Sequence, residues 1–480
     1  KIVREVGLRG MFRKQLNSAL YEESGYVIGV HLKTKKICVC MDGRNSSEEL
    51  RDALVRGLIC SDVEIIDIGQ LPTPLMNYAL KKLFIKNGLM VTASHNPKSY
   101  NGLKIVLDDV TLYGDAIQKI YLDVEKIEEI PIERKGNLKN DNDILSHYVS
   151  EIKEKFRIFE KLKVCIDCSN GVTGHVARRV LNEFNVDFTI INEEVDGDFP
   201  NHSPDPTKEE NLDQLKAAMK KGSCDIGIAF DGDGDRLIVI DGSFNIIWPD
   251  QLMMVYSKTL LSKKIGKVVF DVKCSDNLEK IITDMGGTPI RSRTGHSYIK
   301  KSLIKNNALL AGEMSGHIFF NDGWYGFDDG IFAAITLLEI VSNEKNPKKA
   351  FDWLPASFST PEINIEFREN EHFDFFKLFV KLNSFEDAVI DDLDGLRIIY
   401  PNGWALIRCS NTSSNIVLRF EANDEKMLNN IKNIRQNIIR RIIKKSISYL
   451  TLMQTMKLMI NMPWPIYFII LIFLISKELQ

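Results

Sequence analysis

The chain has 480 residues, of which 44% are hydrophobic and 26% are charged. This length exceeds what one hydrophobic core usually serves, so about three or four domains are expected, and the composition is typical of a soluble globular protein. The formal net charge of -3 provides no general attraction to nucleic acid, so no nucleic-acid partner and a small-molecule ligand are expected.

The N-terminal part of the chain alternates strand-like and helix-like segments. Residues 36–41 form an apolar run typical of a buried strand, residues 46–60 have helical periodicity behind a serine cap, and residues 63–68 form the next apolar strand. This alternation predicts α/β units with parallel strands, whose carboxyl ends present ligand-binding residues.

The same alternation begins again at Lys163 and at Lys267, and it changes to shorter strands and helices beyond residue 346. We therefore predict an α/β fold class, with three α/β domains of mixed, mostly parallel sheets and a C-terminal α+β domain. The predicted domains are 1–141, 142–243, 244–355 and 356–446, followed by an atypical apolar extension at 447–480.

The C-terminal extension contains a continuous apolar run at 466–475. A bilayer core of about 30 Å needs roughly 20 apolar residues, and the run approaches that length only if Asn461, Pro463 and Pro465 are included. We expect a docked or irregular terminal extension rather than a membrane anchor.

The eight cysteines are scattered, and most lie in apolar runs such as 37–40. They are typical of small core residues in a reduced protein, so a cytoplasmic location is expected. Cys165 and Cys168 have C-x-x-C spacing, but no second pair stands at zinc-ribbon spacing, so a metal or redox role is not expected for them.

A serine-containing motif, T-A-S-H-N-P at 92–97, follows an apolar strand at 89–91. Because Asn-Pro forces a turn, the hydroxyl of Ser94 is expected on a loop held by a rigid strand, where it can react. His95 is not expected to turn back as its base, and the motif is not a G-x-S-x-G elbow, so acyl transfer by a triad is a poor fit. An ordinary polar turn is the alternative.

An acidic motif, D-G-D-G-D-R at 231–236, follows an apolar strand at 226–230. Its carboxylates belong to Asp231, Asp233 and Asp235. The glycines between the carboxylates let a tight loop turn all three toward one hard cation. Without a cation, the repulsion among the three carboxylates is strongly unfavourable. An EF-hand is excluded, because Arg236 and Gly242 stand where it needs Gly and Glu. A solvated acidic loop is the alternative.

A third motif, G-E-M-S-G-H at 312–317, lies between two apolar segments. Its acceptor Glu313, hydroxyl Ser315 and imidazole His317 suit the neighbouring hydroxyls of a sugar. An ordinary turn is the alternative.

The fourth motif, R-C-S-N-T-S-S at 408–414, offers a guanidinium and several hydroxyl and amide donors, as a phosphate dianion requires. A polar hairpin is the alternative.

Two single residues, Lys273 after an apolar strand and His296 in the segment 293–297, stand where α/β domains present ligands.

Together and in this order, the four motifs resemble the α-D-phosphohexomutase superfamily, in particular its phosphomannomutase/phosphoglucomutase branch. The resemblance runs from about Val3 to Glu421. It implies three α/β domains and a fourth domain of a different fold around a central cleft, with one motif in each domain.

The resemblance also implies roles for individual residues. Ser94 matches the phosphorylated serine, and the metal ligands of one Mg²⁺ per chain would be Ser94, Asp231, Asp233 and Asp235. The matched substrate-binding residues are Arg9, Arg236, Lys273, His296, Glu313, Ser315, Gly316, His317, Arg408, Ser410, Asn411 and Thr412. Lys104, His317 and Arg9 are the candidate general acids and bases; we favour Lys104 near the phosphoserine and His317 on the sugar side.

The chain departs from the family pattern near its N-terminus. Arg9 is retained, but Val6 stands where the family has a substrate-contacting tyrosine and Gly7 where it has an aspartate. In the phosphate motif, Ser414 replaces a usual proline. The first departure bears on the rate and on the sugar preference.

The resemblance implies an intramolecular phosphotransferase that interconverts hexose 1-phosphate and hexose 6-phosphate through a phosphoserine and a bisphosphorylated hexose, which also serves as activator. Met314 favours the mannose and glucose branch, because the glucosamine branch usually has glutamine there. The alternatives are phosphoglucosamine mutase, a sugar-phosphate-binding homologue with weak or no turnover, and a metal-dependent phosphatase. Sugar phosphates are the expected partners, and a monomer or homodimer is expected.

Overall fold

The computed structural model of the chain describes residues 3–4, 7–133, 135–158, 161–356, 358–368, 371–382, 385, 388–410, 413–429 and 431. The chain divides into two compact units. The first comprises Lys1–Ala356 with Ser410–Ser413, and the second comprises Ser357–Cys409 with Ser414–Gln480.

The first sheet of the first unit is mixed. Its strands are β1 Val3–Arg4, β2 Gly7–Met11, β3 Lys36–Met41, β4 Glu64–Gln70, β5 Gly88–Val91, β6 Tyr100–Leu107, β7 Val110–Thr111 and β8 Asn137–Asn140, and its helices are α1 Ser18–His31, α2 Ser47–Cys60, α3 Thr73–Lys82 and α4 Asp115–Val124. The strand order is β1-β2-β6-β5-β3-β4-β8, with β7 paired to β6. The pairs from β5 through β3 and β4 to β8 are parallel, and those on the other side of β5 are antiparallel. The chain after β5 therefore emerges at the middle of the carboxyl edge.

A second mixed sheet follows helix α5 Ile144–Lys155. Its strands are β9 Leu162–Asp167, β10 Val186–Ile191, β11 Ile226–Phe230, β12 Leu237–Asp241 and β13 Ile246–Ile247, and its helices are α6 Gly174–Leu181 and α7 Asp213–Gly222. The order is β10-β9-β11-β12-β13, with parallel pairs up to β11 and antiparallel pairs beyond it. Every residue of β11 is buried, as expected of a central strand covered on both faces.

The third sheet belongs to the same unit. Its elements are α8 Pro249–Lys263, β14 Lys267–Asp271, α9 Asp276–Asp284, β15 Thr288–Ser292, α10 His296–Asn306, β16 Leu310–Gly312, β17 Ile318–Phe320 and α11 Gly330–Ser342. The order is β15-β14-β16-β17, and β17 is the antiparallel strand.

The second unit contains an antiparallel sheet and a helix. The elements are β18 Phe358–Ser359, β19 Ile363–Glu366, α12 Glu371–Leu382, β20 Val389–Asp391, β21 Leu396–Tyr400, β22 Gly403–Cys409 and β23 Asn415–Ala422. The strand order is β18-β23-β22-β21-β20, with β19 also paired to β23. This is the α+β architecture that the shorter strands and helices predicted.

Two helices of the first unit, α1 and α11, begin behind a capping side chain. Asn17 accepts a hydrogen bond from the backbone N–H of Leu20 at the start of α1, and Asp329 accepts one from Phe332 at the start of α11. Such caps satisfy N–H groups that the first turn leaves unpaired and contribute about 1 kcal/mol each.

One hydrophobic core joins the three sheets of the first unit. It includes Cys38 from β3, Ile166 from β9 and Phe270 from β14, together with the aromatic ring of Tyr148 on α5. Because this core is continuous, the loops at the carboxyl edges of the three sheets are held in a fixed relation to one another. That relation positions the candidate active site.

Three mixed sheets with helices, followed by an antiparallel sheet with a helix, confirm the predicted α/β fold class. The predicted domain bounds and the central cleft stay predictions. No helix in the described part of the chain has the length and apolar composition needed to cross a membrane. The extension at 447–480, and Val6, lie outside the described residues.

Candidate active site

The loop after β5 carries Ser94, a residue that is only 2% exposed. Its φ of 51° lies in the left-handed region, which costs a residue with a Cβ on the order of 1 kcal/mol. The backbone N–H of Ser94 donates to the hydroxyl of Thr92, which helps to hold this conformation. The predicted placement of a serine on a loop held by a strand agrees with the structure.

The expectation that His95 is unable to turn back toward Ser94 was wrong. Nδ1 of His95 lies 3.3 Å from the hydroxyl oxygen of Ser94. Burial, together with the nearby guanidinium groups of Arg236 and Arg9, lowers the pKa of His95 well below its ordinary value, so its ring is neutral.

Arg44 supports the serine loop from behind and was not identified from sequence. Its Nη2 donates to the carbonyl oxygens of Ser94 and Asn96, both at 2.6 Å. Its Nη1 donates to Pro97 and Tyr100 at 2.8 and 3.1 Å. The charge is balanced by Asp42, whose carboxylate accepts from Arg44 Nε at 3.1 Å. One buried fork thus fixes the path of the loop. A D-x-R segment directly after strand β3 is the signal that could have drawn attention to it.

The acidic loop after β11 brings three carboxylates together. Asp231, Asp233 and Asp235 are fully buried, and one oxygen of each lies within 4.8 Å of the others. Gly232 is needed between them, because a Cβ at that position would lie 2.8 Å from the carbonyl oxygen of Ser94. The two loops therefore pack backbone against backbone.

The serine and acidic motifs meet in a direct contact. The hydroxyl of Ser94 donates to Oδ2 of Asp231 at 2.7 Å, across 137 residues of sequence. Burial and the neighbouring carboxylates of Asp233 and Asp235 raise the pKa of Asp231 well above its ordinary value.

Lys104, on β6, supplies a positive charge to the carboxylates. Its Nζ lies 2.6 Å from Oδ2 of Asp233 and 2.5 Å from Oδ2 of Asp235. Burial opposes the charged form, but the two carboxylates outweigh it and raise the pKa of Lys104 above its ordinary value. Burial alone would raise the pKa of Asp233. The charge of Lys104 outweighs burial, so the pKa of Asp233 lies below its ordinary value. Thr73, another residue that sequence did not reveal, also donates to Asp233 at 2.5 Å.

The cluster can hold a divalent metal ion. Among the described residues, Oδ1 of Asp233 and Oδ1 of Asp235 are buried without a hydrogen-bond partner. Buried carboxylate oxygens of this kind are costly unless a cation or a donor satisfies them. The donor set contains oxygen atoms alone, which is what hard cations prefer.

The loop between β16 and β17 carries the third motif. Oε2 of Glu313 accepts from the hydroxyl of Ser315 at 2.7 Å, and Oε1 accepts from the backbone N–H of Gly295 at 2.8 Å. Gly316 follows, and it turns the chain into β17 with a φ of 99°. Burial raises the pKa of Glu313.

His317 connects the third motif to the acidic loop. Its Nε2 accepts a hydrogen bond from Nε of Arg236 at 2.9 Å. Its Nδ1 lies 2.9 Å from Oδ2 of Asp328 and 3.5 Å from Oδ1 of Asp235. Burial alone would raise the pKa of Asp328, but the contact with His317 outweighs burial and lowers it. Asp328 is a further site residue that was missed.

His296 and Lys273 lie at the same edge of the third sheet. The ring of His296 stacks on that of His317 with centroids 5.5 Å apart, and burial lowers its pKa to about 3. Nζ of Lys273 lies 3.6 Å from a carboxylate oxygen of Asp271. Both residues therefore stand at carboxyl ends of strands, as predicted.

Arg9, on β2, reaches the serine loop. Its Nη1 donates to the side-chain oxygen of Asn96 at 3.1 Å. Burial, and to a smaller extent the charge of Arg236, lowers the pKa of Arg9 to about 10. Gly7 has a φ of 98°, and a Cβ there would lie 2.7 Å from the carbonyl oxygen of Leu103, so this backbone has no room for the aspartate of the family pattern.

The fourth motif is described in part. In the second unit, Nε of Arg408 donates to Oδ2 of Asp394 at 3.0 Å, and Arg408 is buried. The hydroxyl of Ser413 donates to that of Ser410 at 2.9 Å. Asn411 and Thr412 lie outside the described residues.

A buried serine hydroxyl at the edge of the first sheet, bonded to a carboxylate cluster at the edge of the second, fits the class of metal-dependent phosphoryl-transfer enzymes. The family description phosphoglucomutase/phosphomannomutase matches the chain in four parts: α/β/α domain I at residues 1–131, domain II at 146–243, domain III at 248–358 and the C-terminal domain at 362–435. The chain belongs to the phosphoglucomutase/phosphomannomutase family.

Individual relatives agree with this assignment. The chain is 41% identical to the phosphomannomutase/phosphoglucomutase of Pseudomonas syringae pv. tomato, over 92% of this chain and 95% of the relative. It is 40% identical to the phosphoglucomutase of Neisseria gonorrhoeae, over 90% and 95% of the two chains. The crystal structure of a phosphoglucomutase/phosphomannomutase family protein from Burkholderia thailandensis superposes with a TM-score of 0.84 at 35% identity, covering 92% and 97%.

The comparisons confirm the predicted family and the predicted enzyme class, a mutase. The structure brings Ser94, Lys104, Arg236 and His317 to the acidic loop. The catalytic and binding roles of individual residues stay predictions.

Proposed function

We propose that this protein interconverts hexose 1-phosphate and hexose 6-phosphate, with mannose and glucose as the sugars, through a phosphoserine at Ser94 and a bisphosphorylated hexose. The observation that carries the proposal is the 2.7 Å hydrogen bond from Ser94 to Asp231 inside a buried cluster of three carboxylates. The names of the relatives, phosphomannomutase/phosphoglucomutase and phosphoglucomutase, support the choice of sugars.

Mg²⁺ is the ion proposed for the carboxylate cluster, one per chain. Its ligands would be Asp231, Asp233, Asp235 and an oxygen of phosphorylated Ser94. When bound, the ion supplies positive charge that stabilises the transferring phosphoryl group. The oxygen-only ligand set and the unpartnered oxygens of Asp233 and Asp235 support this assignment.

In the proposed first step, the phosphoryl group leaves Ser94 for a free hydroxyl of the hexose monophosphate. The bond between phosphorus and the oxygen of Ser94 breaks as the bond to the sugar oxygen forms. His317 takes the proton of the attacking hydroxyl, and Lys104 gives a proton to the departing serine oxygen. Lys104 is protonated at neutral pH and therefore carries the proton that the role of acid requires.

In the second step the bisphosphorylated hexose turns end over end and returns its other phosphoryl group to Ser94. The turn requires a grip that holds a phosphate from either end of the sugar. Residues of the fourth motif are proposed for that grip: Arg408, Ser410, Asn411 and Thr412. A guanidinium with neighbouring hydroxyl donors binds a dianion without regard to the sugar carbon that carries it.

The sugar itself is proposed to contact the third motif. Glu313 and Ser315, with Gly316 turning the chain, offer an acceptor and a hydroxyl on one loop. The remaining proposed substrate contacts are Arg9, Arg236, Lys273, His296 and His317. Arg9 and Arg236 bring guanidinium groups to the serine and acidic loops, where a phosphate has to lie.

The deciding experiment is a coupled assay of the purified full chain. Glucose 1-phosphate, mannose 1-phosphate and glucosamine 1-phosphate are each supplied, with and without Mg²⁺, and the 6-phosphate and free phosphate are measured. We expect Mg²⁺-dependent formation of glucose and mannose 6-phosphates, stimulated by glucose 1,6-bisphosphate. Preference for glucosamine phosphate would reassign the sugar, release of free phosphate would indicate a phosphatase, and no turnover a binding protein.

Oligomeric state and location are separate predictions. We propose a monomer or homodimer in the cytoplasm, acting on small-molecule sugar phosphates. Gel filtration with light scattering of the purified chain tests the first of these.

A further inference from the structure

A second group of three ligand atoms adjoins the carboxylate cluster. Asp235, His317 and Asp328 each offer one ligand atom, and these atoms lie within 4.8 Å of one another. Each residue has one unpartnered side-chain atom: Oδ1 of Asp235, Nδ1 of His317 and Oδ2 of Asp328. The three residues are 0%, 3% and 3% exposed, respectively. None of the three atoms has a hydrogen-bond partner among the described residues. Three buried, unpartnered atoms therefore face one point.

The separations suit a small transition-metal ion. Nδ1 of His317 is 2.9 Å from the Asp328 oxygen and 3.5 Å from the Asp235 oxygen. Ligands held about 2.0–2.1 Å from a tetrahedral zinc ion are separated by about 3.3 Å. The two separations from Nδ1 of His317 lie on either side of that spacing. Nδ1 of His317 and Oδ2 of Asp328 lie 2.9 Å apart without meeting hydrogen-bond geometry.

We propose that Asp235, His317 and Asp328 form a second cation site, selective for zinc-class divalent ions and sharing Asp235 with the magnesium site. An imidazole nitrogen with two carboxylates is a favourable set for Zn²⁺, whereas Mg²⁺ prefers oxygen ligands alone. Two ions bridged by one carboxylate about 3.5–4 Å apart are a common arrangement in proteins.

Binding at Nδ1 requires a rearrangement of the imidazole proton. In the structure Nε2 of His317 accepts from Arg236, so the ring proton is on Nδ1 when the ring is neutral. An ion at Nδ1 shifts this proton to Nε2, which then no longer accepts from Arg236. Oδ2 of Asp231 lies 3.9 Å from Nε of Arg236 and is within reach as a replacement acceptor.

Occupation of this site inhibits the proposed mutase reaction. It removes His317 from the sugar and moves Arg236, while Mg²⁺ remains in its own site. This consequence rests on the proposed function, whereas the binding of the ion does not. The inhibition therefore differs from simple replacement of Mg²⁺, because excess Mg²⁺ does not relieve it.

The test uses the full chain with Mg²⁺ in large excess and Zn²⁺ as the probe. Bound zinc is measured by equilibrium dialysis, and its ligands by X-ray absorption at the zinc edge, where imidazole gives a distinct scattering signature. We expect one imidazole ligand per chain in the wild type. Asp328→Asn should weaken zinc binding at least about tenfold. The matched control is Asp329→Asn, which removes the adjacent buried carboxylate, an acceptor for Tyr148 and Trp324. This variant should change the affinity for zinc less than about twofold.

Several results would overturn the proposal. Zinc that binds the wild type without imidazole scattering would overturn the proposal, and this result does not depend on any variant. Unchanged zinc binding in Asp328→Asn, or an equal loss in both variants, does so as well. Zinc inhibition of turnover that excess Mg²⁺ fully relieves would place the ion in the magnesium site. A chain with no mutase turnover would refute the proposed function, and the binding measurement would still decide this inference.

Discussion

Arg44 donates a hydrogen bond of 2.6 Å to the carbonyl oxygen of Ser94, although the two residues are 50 positions apart. The same guanidinium bonds three further carbonyl oxygens of the serine loop and one carboxylate, that of Asp42. Its side chain has no exposed surface. The position of the proposed nucleophile therefore depends on one buried side chain that does not itself touch the serine hydroxyl.

Arg44→Lys should destabilise the protein and slow turnover together. Lysine keeps the charge but cannot supply the fork that reaches the four carbonyls, so buried acceptors lose their donors. We expect a loss of about 3 kcal/mol in the free energy of unfolding. Thermal unfolding and the coupled assay measure both effects. The control is Arg56→Lys, in a partly exposed ion pair with Glu22, which should cost less than about 1 kcal/mol. Equal behaviour of the two variants would contradict this role of Arg44.

Lys104→Met should make the stability of the protein strongly dependent on Mg²⁺. Removing the ammonium leaves the buried carboxylates of Asp233 and Asp235 without their cation, at a cost of about 3 kcal/mol or more when no metal is present. Turnover should fall by about 10²-fold or more, because the proposed acid is lost. The matched control is Lys98→Met, since Lys98 lies on the serine loop in an exposed pair with Asp198. This variant should leave the stability without metal and the turnover unchanged. Undiminished turnover of Lys104→Met would remove Lys104 from the scheme.

Mg²⁺ should raise the unfolding temperature of the wild type. An ion that binds only the folded state, at a concentration of about 100 times its Kd, adds about 2.7 kcal/mol to the free energy of unfolding. Asp233→Asn should abolish this response, because it removes one of the three carboxylates. Asp213→Asn, on the exposed start of α7, should retain it. Differential scanning fluorimetry over a Mg²⁺ titration makes the comparison. A full response in Asp233→Asn would show that Mg²⁺ binds elsewhere.

His202 should make part of the stability depend on pH. Its Nε2 lies 2.9 Å from Asp167. Burial lowers the pKa of His202, but the contact with Asp167 outweighs it, and the pKa lies above its ordinary value. A raised pKa in the folded state means that the stabilisation is complete below about pH 6.5, the ordinary value, and is lost as the pH rises through the folded pKa.

Unfolding temperatures of the wild type and His202→Gln from pH 5 to pH 9 test this dependence. The wild type should lose its advantage over the variant as the pH rises. His147→Gln, at an exposed position on α5, should show a constant difference from the wild type. A wild-type advantage that grows with pH would have the wrong sign.

The strands and the site motifs could be predicted because they are local. Residues 36–41 and 226–230 have apolar runs that coincide with β3 and β11, and each site motif follows such a strand. Parallel strands place their carboxyl ends at one edge, so the convergence of Ser94 with the acidic loop followed from the pattern together with the family resemblance.

The supporting residues could not be predicted, because their contacts depend on how distant loops pack. Thr73 reaches Asp233 across 160 residues, and neither position carries a local signal of the other. Asp328 lies in a loop between β17 and α11 whose path is set by the core. The error at His95 had a different cause: a left-handed φ at Ser94 is rare for a residue with a Cβ, and no local pattern in the sequence predicts it.

Mass spectrometry of the peptide containing Ser94 shows whether this serine carries the transferred phosphoryl group. The purified chain is incubated with glucose 1,6-bisphosphate, digested and mapped, alongside Ser94→Ala and the control Ser99→Ala, an exposed serine of the same loop. We expect one phosphate on the peptide containing Ser94 in the wild type and in Ser99→Ala, its loss on adding excess hexose monophosphate, and neither phosphate nor turnover in Ser94→Ala. An active enzyme whose Ser94 never carries phosphate would contradict this expectation.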